Sequence, residues 1–242
     1  MKTKRIILFS IILLTIGLYI VRTKGDDVDI HEPLPLKIWE KNNQSKPILF
    51  YLSGDAGLGP FSKKICKKLH KQGYDVYALN SKVYFWNKRD SKETAKVFSA
   101  FLEKIFQHHK NQEVIFIGYS FGADAIPFII NQLPVVTKNR IHQLVLLDPY
   151  ETADLEIHYK NLIFENVSGK WNTIPEINHL PNLHLSIILS DYGKNYSYNK
   201  ITLLNKEVIS LGGNHHFNRD YKKVSKTILN TFQKNNNSNE SI

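Results

Sequence analysis

Residues 118–122, Gly118-Tyr119-Ser120-Phe121-Gly122, spell G-x-S-x-G after a continuous apolar run and before a helical pattern. In that context the serine falls on a sharp strand-to-helix turn, and its flanking glycines let the backbone turn without Cβ clashes. The hydroxyl then stands above the carboxyl ends of the strands, at the positive end of the following helix. A serine used as a nucleophile needs a base, an acid to orient the base, and N–H donors for the oxyanion.

The base is expected in a loop after the last strand. There Val208-Ile209-Ser210-Leu211 runs into Gly212-Gly213-Asn214-His215-His216-Phe217. One ring nitrogen must face the hydroxyl and the other the acid, so only one histidine of the pair can serve. His215, nearer the glycine turn, is preferred, with His216 as the alternative. The other histidines have no companion motif. For the acid, Asp191 follows the apolar run Leu185-Ser186-Ile187-Ile188-Leu189, where this chain order places it. Asp148, at the end of the preceding strand, and Asp124, one helical turn past Ser120, are the alternatives, Asp124 being better placed to orient the elbow. One oxyanion donor should be the N–H of Phe121. The other should come from the small-residue loop Gly54-Asp55-Ala56-Gly57, at Asp55 or Ala56. The Asp55 side chain reads equally as a loop cap or a catalytic group. No metal or cofactor is implied, since the histidines lack companion carboxylates at ligand spacing and Cys66 stands alone.

The elements that must position these residues alternate. Pro47–Leu52, Asp75–Leu79, Glu113–Gly118, Leu144–Leu147, Leu185–Leu189 and Val208–Leu211 read as strands, several of them apolar throughout. Residues 60–72, Glu93–His109, Phe121–Leu133 and Val224–Phe232 show apolar residues at helical spacing. This alternation predicts an α/β fold with a mostly parallel central sheet and helices on both faces. Residues 25–46 read as a linker with one short strand, residues 47–232 as the folded domain, and residues 233–242 as a polar, disordered tail.

The chain has 242 residues and a formal charge of +10, of which the first 24 residues supply five cations and no acid. Residues 6–21 form an apolar run with basic residues on both sides and no small-x-small cleavage pattern. That predicts an N-terminal membrane anchor, or failing that a secretory signal, with residues 25–242 on the extracytoplasmic, periplasmic side of the inner membrane. The remaining basic excess shows no stripe with interleaved aromatics, which argues against nucleic acid. It suits an anionic membrane surface or substrate.

Taken together, these segments resemble the bacterial AcvB/VirJ virulence-protein family. The resemblance is carried by residues 118–124 with Pro127-Phe128, by Leu52–Gly57, by Tyr84-Phe85-Trp86, by Ala153–His158 and by Gly213–Tyr221. It implies an exported α/β-hydrolase-like protein that hydrolyses an aminoacylated phospholipid, lysyl-phosphatidylglycerol, and a link to secretion-system proteins. By position it implies Ser120 as nucleophile and a base within His215–His216. Where the family tends to be acidic after Tyr192-Gly193-Lys194, this chain has Asn195 and Tyr196. A cationic lysyl group would need an acidic contact, for which Asp55, Asp124 and Glu156 lie near the strand ends. Two other readings stand beside the lipid esterase: a non-catalytic interaction module on the same fold, and a general exported carboxylesterase or thioesterase.

Overall fold

The computed structural model describes residues 29–31, 34–108, 111–157 and 169–239; the apolar run at residues 6–21 lies outside them. Its centre is an eight-stranded sheet. In chain order the strands are β1 (Asp29–His31), β2 (Leu34–Trp39), β3 (Ile48–Leu52), β4 (Val76–Leu79), β5 (Val114–Tyr119), β6 (Ile141–Leu147), β9 (His184–Leu189) and β10 (Lys206–Ser210). Two short strands, β7 (Thr152–Ala153) and β8 (Trp171–Asn172), pair separately. The order across the large sheet is β1-β2-β4-β3-β5-β6-β9-β10. From β4 to β10 all pairs are parallel, whereas β2 runs antiparallel to both β1 and β4. The span read as a linker with one short strand thus supplies the antiparallel edge.

β3 and β5 are buried at every residue, as their unbroken apolar sequences require of strands covered on both faces. Their side chains alternate between two cores. Ile48, Phe50 and Leu52 pack with Val114 and Phe116 on one face, and Leu49 and Tyr51 pack with Ile115 and Ile117 on the other. The first face is covered by α3 (Ser91–His108) and α4 (Phe121–Gln132), with the short α6 (Thr173–Asn178) beside them. The second is covered by α1 (Pro60–Lys71) and α7 (Tyr221–Asn239). Two single-turn helices, α2 (Ser81–Tyr84) and α5 (Val135–Lys138), complete the set. In α3 the residues Ala95, Phe98, Leu102 and Ile105 form the inward stripe, and each of the three larger side chains stabilises the fold by about 1.5–3 kcal/mol when fully buried. The backbone of α7 runs on to Asn239, through residues expected to form a disordered tail. No Gly or Pro interrupts it there, so a helix nucleated by its packed first turns propagates.

The chain leaves β3 toward β4 on one side and returns to β5 on the other. The carboxyl ends of β3 and β5 therefore flank a topological switch point, where a crevice opens in sheets of this kind. Loops after β3, β5, β6, β9 and β10 all gather at that edge. Among the described residues no helix is long and apolar enough to cross a membrane.

Candidate active site

Ser120 is the hinge between β5 and α4, and it is strained. Its backbone lies at φ 51° and ψ −124°, outside the regions ordinary for an L-residue. Two close approaches explain the flanking glycines. A Cβ on Gly118 would stand 2.5 Å from Ala123 Cα, and one on Gly122 would stand 2.4 Å from the Leu52 carbonyl oxygen. The elbow thus wedges between the end of β3 and the start of its own helix. Ser120 N–H donates to the Leu147 carbonyl at 2.9 Å, extending the β5–β6 ladder by one bond and fixing the turn. The residue is 5% exposed.

His215 and Asp148 come together. Nδ1 of His215 lies 2.6 Å from Oδ2 of Asp148, and because a carboxylate only accepts, the neutral ring carries its proton on Nδ1 and keeps its lone pair on Nε2. The acid is 1% exposed and fully engaged: Oδ1 accepts from the Ser190 N–H at 2.9 Å, and Oδ2 also accepts from the Ser190 hydroxyl at 2.7 Å. The imidazole stacks on Tyr119, the neighbour of Ser120, with ring centroids 5.3 Å apart. The Tyr119 hydroxyl donates to the His215 carbonyl at 3.2 Å, so ring and backbone of His215 are both held against the elbow.

Asp191, the acid expected from the sequence, takes a different place. Its side chain is exposed, and its Oδ2 accepts from the Gly213 N–H at 2.7 Å. It shapes the histidine loop from outside while Asp148 meets the ring. The alternative base His216 is exposed and stands edge-on to Phe61, with centroids 5.6 Å apart. Asp124 is buried in α4 and accepts from the Tyr150 N–H at 2.6 Å, tying the helix to the loop that follows Asp148. Burial raises its carboxyl well above the ordinary range, the Tyr150 N–H opposes this, and the charges of Asp55 and Asp148 add to it. It is a positioning residue for the loop.

The β3 loop is set against the elbow, since a Cβ at Gly54 would lie 3.4 Å from Ser120 Cβ. Ser53 fixes that loop by accepting from the Ser81 N–H at 3.0 Å and donating to the Gly54 carbonyl. Phe121 is the first residue of α4, so its N–H has no partner within the helix. The N–H groups of Asp55 and Ala56 face the Asp55 carboxylate itself. Burial raises that carboxyl, opposed first by the Ala56 N–H and then by nearby His215. The donors assigned to an oxyanion thus sit beside a carboxylate at the mouth of the site.

Behind His215 lies a cavity of about 310 Å³, walled by Asp148, Tyr150, Glu151, Tyr192, Gly193 and Tyr196. The rings of Tyr150 and Tyr192 stand 5.7 and 5.3 Å from the imidazole. Burial and a hydrogen bond to Tyr192 keep the Tyr150 phenol protonated well past neutrality. None of these tyrosines was singled out for the site from sequence, because Tyr150 and Tyr192 acquire meaning only when β6 and β9 are adjacent. A buried hydroxyl on a strained elbow, an imidazole with a free Nε2, and helix-start N–H groups are together the parts needed for acyl transfer.

The same architecture occurs in solved structures. A dienelactone hydrolase from Anabaena variabilis is similar with a TM-score of 0.58 and 12% identity, over 85% of this chain and 94% of that one. Est1E from Butyrivibrio proteoclasticus gives 0.56 and 12%, over 85% and 98%. The thioesterase domain from the curacin biosynthetic pathway gives 0.53 and 14%, over 80% and 94%. At these identities the likeness establishes an α/β-hydrolase fold. No curated protein matches the sequence significantly. The family described as bacterial virulence protein (VirJ) matches residues 47–236, nearly the whole domain built around Ser120, and the chain belongs to that family.

Proposed function

We propose that this protein is an extracytoplasmic serine esterase that cleaves the aminoacyl ester of a phospholipid such as lysyl-phosphatidylglycerol. The observation that carries the reading is the His215–Asp148 pair at 2.6 Å, seated against a serine elbow at φ 51°. In this mechanism Ser120 Oγ attacks the ester carbonyl and passes its proton to Nε2 of His215. Asp148 holds the Nδ1 proton and stabilises the imidazolium. The Phe121 N–H at the start of α4 receives the oxyanion, while the Asp55 and Ala56 N–H groups stay with the Asp55 carboxylate. The imidazolium then protonates the departing glycerol oxygen, and water repeats the cycle to release the amino acid. An ester leaves more easily than an amide, so this apparatus suffices without a metal.

Two features support an amine-bearing acyl group. Asp55 places a carboxylate beside His215, suited to an α-ammonium next to the scissile carbonyl. The cavity behind the imidazole offers the faces of Tyr150 and Tyr192 with Glu151 on its wall, a combination that attracts cations. Asp124, also considered for this contact, is committed to Tyr150. The apolar run at residues 6–21 would tether the domain to the inner membrane that holds the lipid.

The test is to incubate the protein with vesicles containing lysyl-phosphatidylglycerol and follow lysine release, with Ser120→Ala alongside. Release by the native protein and a loss of about 10³-fold or more in the variant is the expected result. If simple soluble esters turn over while the aminoacyl lipid stays intact, a general esterase replaces this reading. If a fluorophosphonate probe fails to label Ser120 at all, an interaction module does.

A further inference from the structure

The two helices on one face of the sheet carry a one-sided charge. α1 has lysines at 63, 64, 67, 68 and 71, and α7 has Lys222, Lys223 and Lys226 in its first two turns. Neither helix contains an Asp or a Glu. Outside these helices, residues 25–242 hold 22 acids against 18 Lys and Arg, so the basic excess of the domain resides on this face.

The lysine rows lie side by side. Phe61, Ile65 and Leu69 of α1 and Val224, Ile228 and Phe232 of α7 turn inward onto the same core. Lys64, Lys67, Lys71, Lys222, Lys223 and Lys226 are exposed. Lys64 Nζ sits 4.5 Å from the centre of the Tyr221 ring, bridging the two helices. Asp220, just ahead of α7, is engaged in capping it through the Lys223 N–H at 2.9 Å. Like charges at i,i+4, as in Lys63/Lys67, Lys64/Lys68 and Lys67/Lys71, weaken an isolated helix. An anionic surface laid against the row turns that repulsion into attraction.

We propose that the α1/α7 face docks on the headgroup layer of a bilayer containing anionic phospholipid. The two helices offer lysines and no arginine, which gives charge attraction without the planar forks used to read bases. The apolar run at residues 6–21 with its flanking cations suits a chain held at a membrane. Both helices begin at the strand edge where the Ser120 crevice opens, so docking sets that crevice beside the headgroups. The proposal goes beyond the esterase reading and does not depend on it.

The experiment is lysine footprinting of the full chain reconstituted in vesicles, using a membrane-impermeant acetylating reagent and mass spectrometry. Vesicles of phosphatidylcholine alone are compared with vesicles in which roughly a third of the lipid is phosphatidylglycerol. The same full chain, apolar run included, is used with both, so only the headgroup charge differs. Acetylation of the α1 and α7 lysines is expected to fall about fivefold in the anionic vesicles and to recover at about 1 M salt. Lys92, Lys96 and Lys104 on α3, across the sheet, should label equally in both. Lys64→Glu with Lys67→Glu and Lys226→Glu, all exposed changes, should abolish the lipid-dependent difference at the remaining lysines. Ser120→Ala should leave the pattern intact, which separates this result from the fate of the esterase reading. Equal labelling in the two vesicles, or equal protection on both faces, overturns the proposal. So does protection that appears only when duplex DNA or an acidic polypeptide is added.

Discussion

Replacing Asp148 by Asn tests the acid assignment with a change of one atom. The carboxylate accepts three hydrogen bonds: Ser190 N–H at Oδ1, and the Ser190 hydroxyl and His215 Nδ1–H at Oδ2. An asparagine that keeps its oxygen toward the Ser190 N–H must put its NH₂ at the Oδ2 position. The Ser190 hydroxyl can rotate to accept from it. His215 Nδ1 can accept only by giving up its proton, which moves to Nε2. The imidazole then presents an N–H to Ser120 and cannot act as its base. In proteins with this triad the wrong tautomer costs about 10³- to 10⁴-fold in kcat, or about 4–5.5 kcal/mol at 1.36 kcal/mol per decade. Asp191→Asn, by contrast, keeps an oxygen for the Gly213 N–H and should lose less than about tenfold, since it acts only through the loop. Initial rates on a p-nitrophenyl ester, with a melting curve for each variant, measure both effects. If Asp148→Asn keeps more than a tenth of the native kcat, or if Asp191→Asn falls as far, the assignment of Asp148 is wrong.

Ser120→Gly should raise stability by about 1 kcal/mol or more in urea unfolding while abolishing turnover, because glycine relieves the strain at φ 51°; an unchanged midpoint would show that the elbow stores no strain. Gly193→Ala puts a Cβ 2.3 Å from Asp148 Oδ1 and should cost about 1–3 kcal/mol by overpacking, with a fall in kcat as the acid is displaced. Asp124 holds protons more tightly in the folded protein than in the unfolded chain, so its contribution to stability declines as pH rises from the ordinary carboxyl range toward its raised native value. Asp124→Asn, which keeps an acceptor for Tyr150 N–H, should flatten that decline in urea titrations run upward from about pH 4. Protein from the native membrane fraction should retain residues upstream of Gly25, which N-terminal sequencing reads directly.

Much of the fold was legible because its strands are extreme. Runs such as Ile48–Leu52 and Val114–Tyr119 leave no polar face, so they had to be interior and parallel, and the G-x-S-x-G turn between β5 and α4 follows from that. The less legible parts were the edges. β2 pairs antiparallel on both sides and carries Pro35, which is tolerated because it is the second residue of the strand, ahead of the stretch that pairs with β4 from Leu36 on. β7 and β8 pair only two residues each and leave no periodic signature.

The base and acid show where sequence reasoning reaches and where it stops. The glycine turn pointed to His215, whose ring does meet a carboxylate. Asp148 and Asp191 both follow parallel strands, both precede the histidine in the chain, and both lie at the same edge, so chain order could not separate them. Burial could have. Asp148 directly abuts the apolar Leu144–Leu147, whereas Asp191 stands one residue beyond its strand, after Ser190. A carboxylate against a buried strand end must find partners or be neutralised. Ser190 supplies two of those partners from the neighbouring strand, and His215 supplies the third. The outer aspartate is solvated and needs none of this. An acid that must orient an imidazole has to be fixed, and in this fold the fixed one is the one that the strand buries.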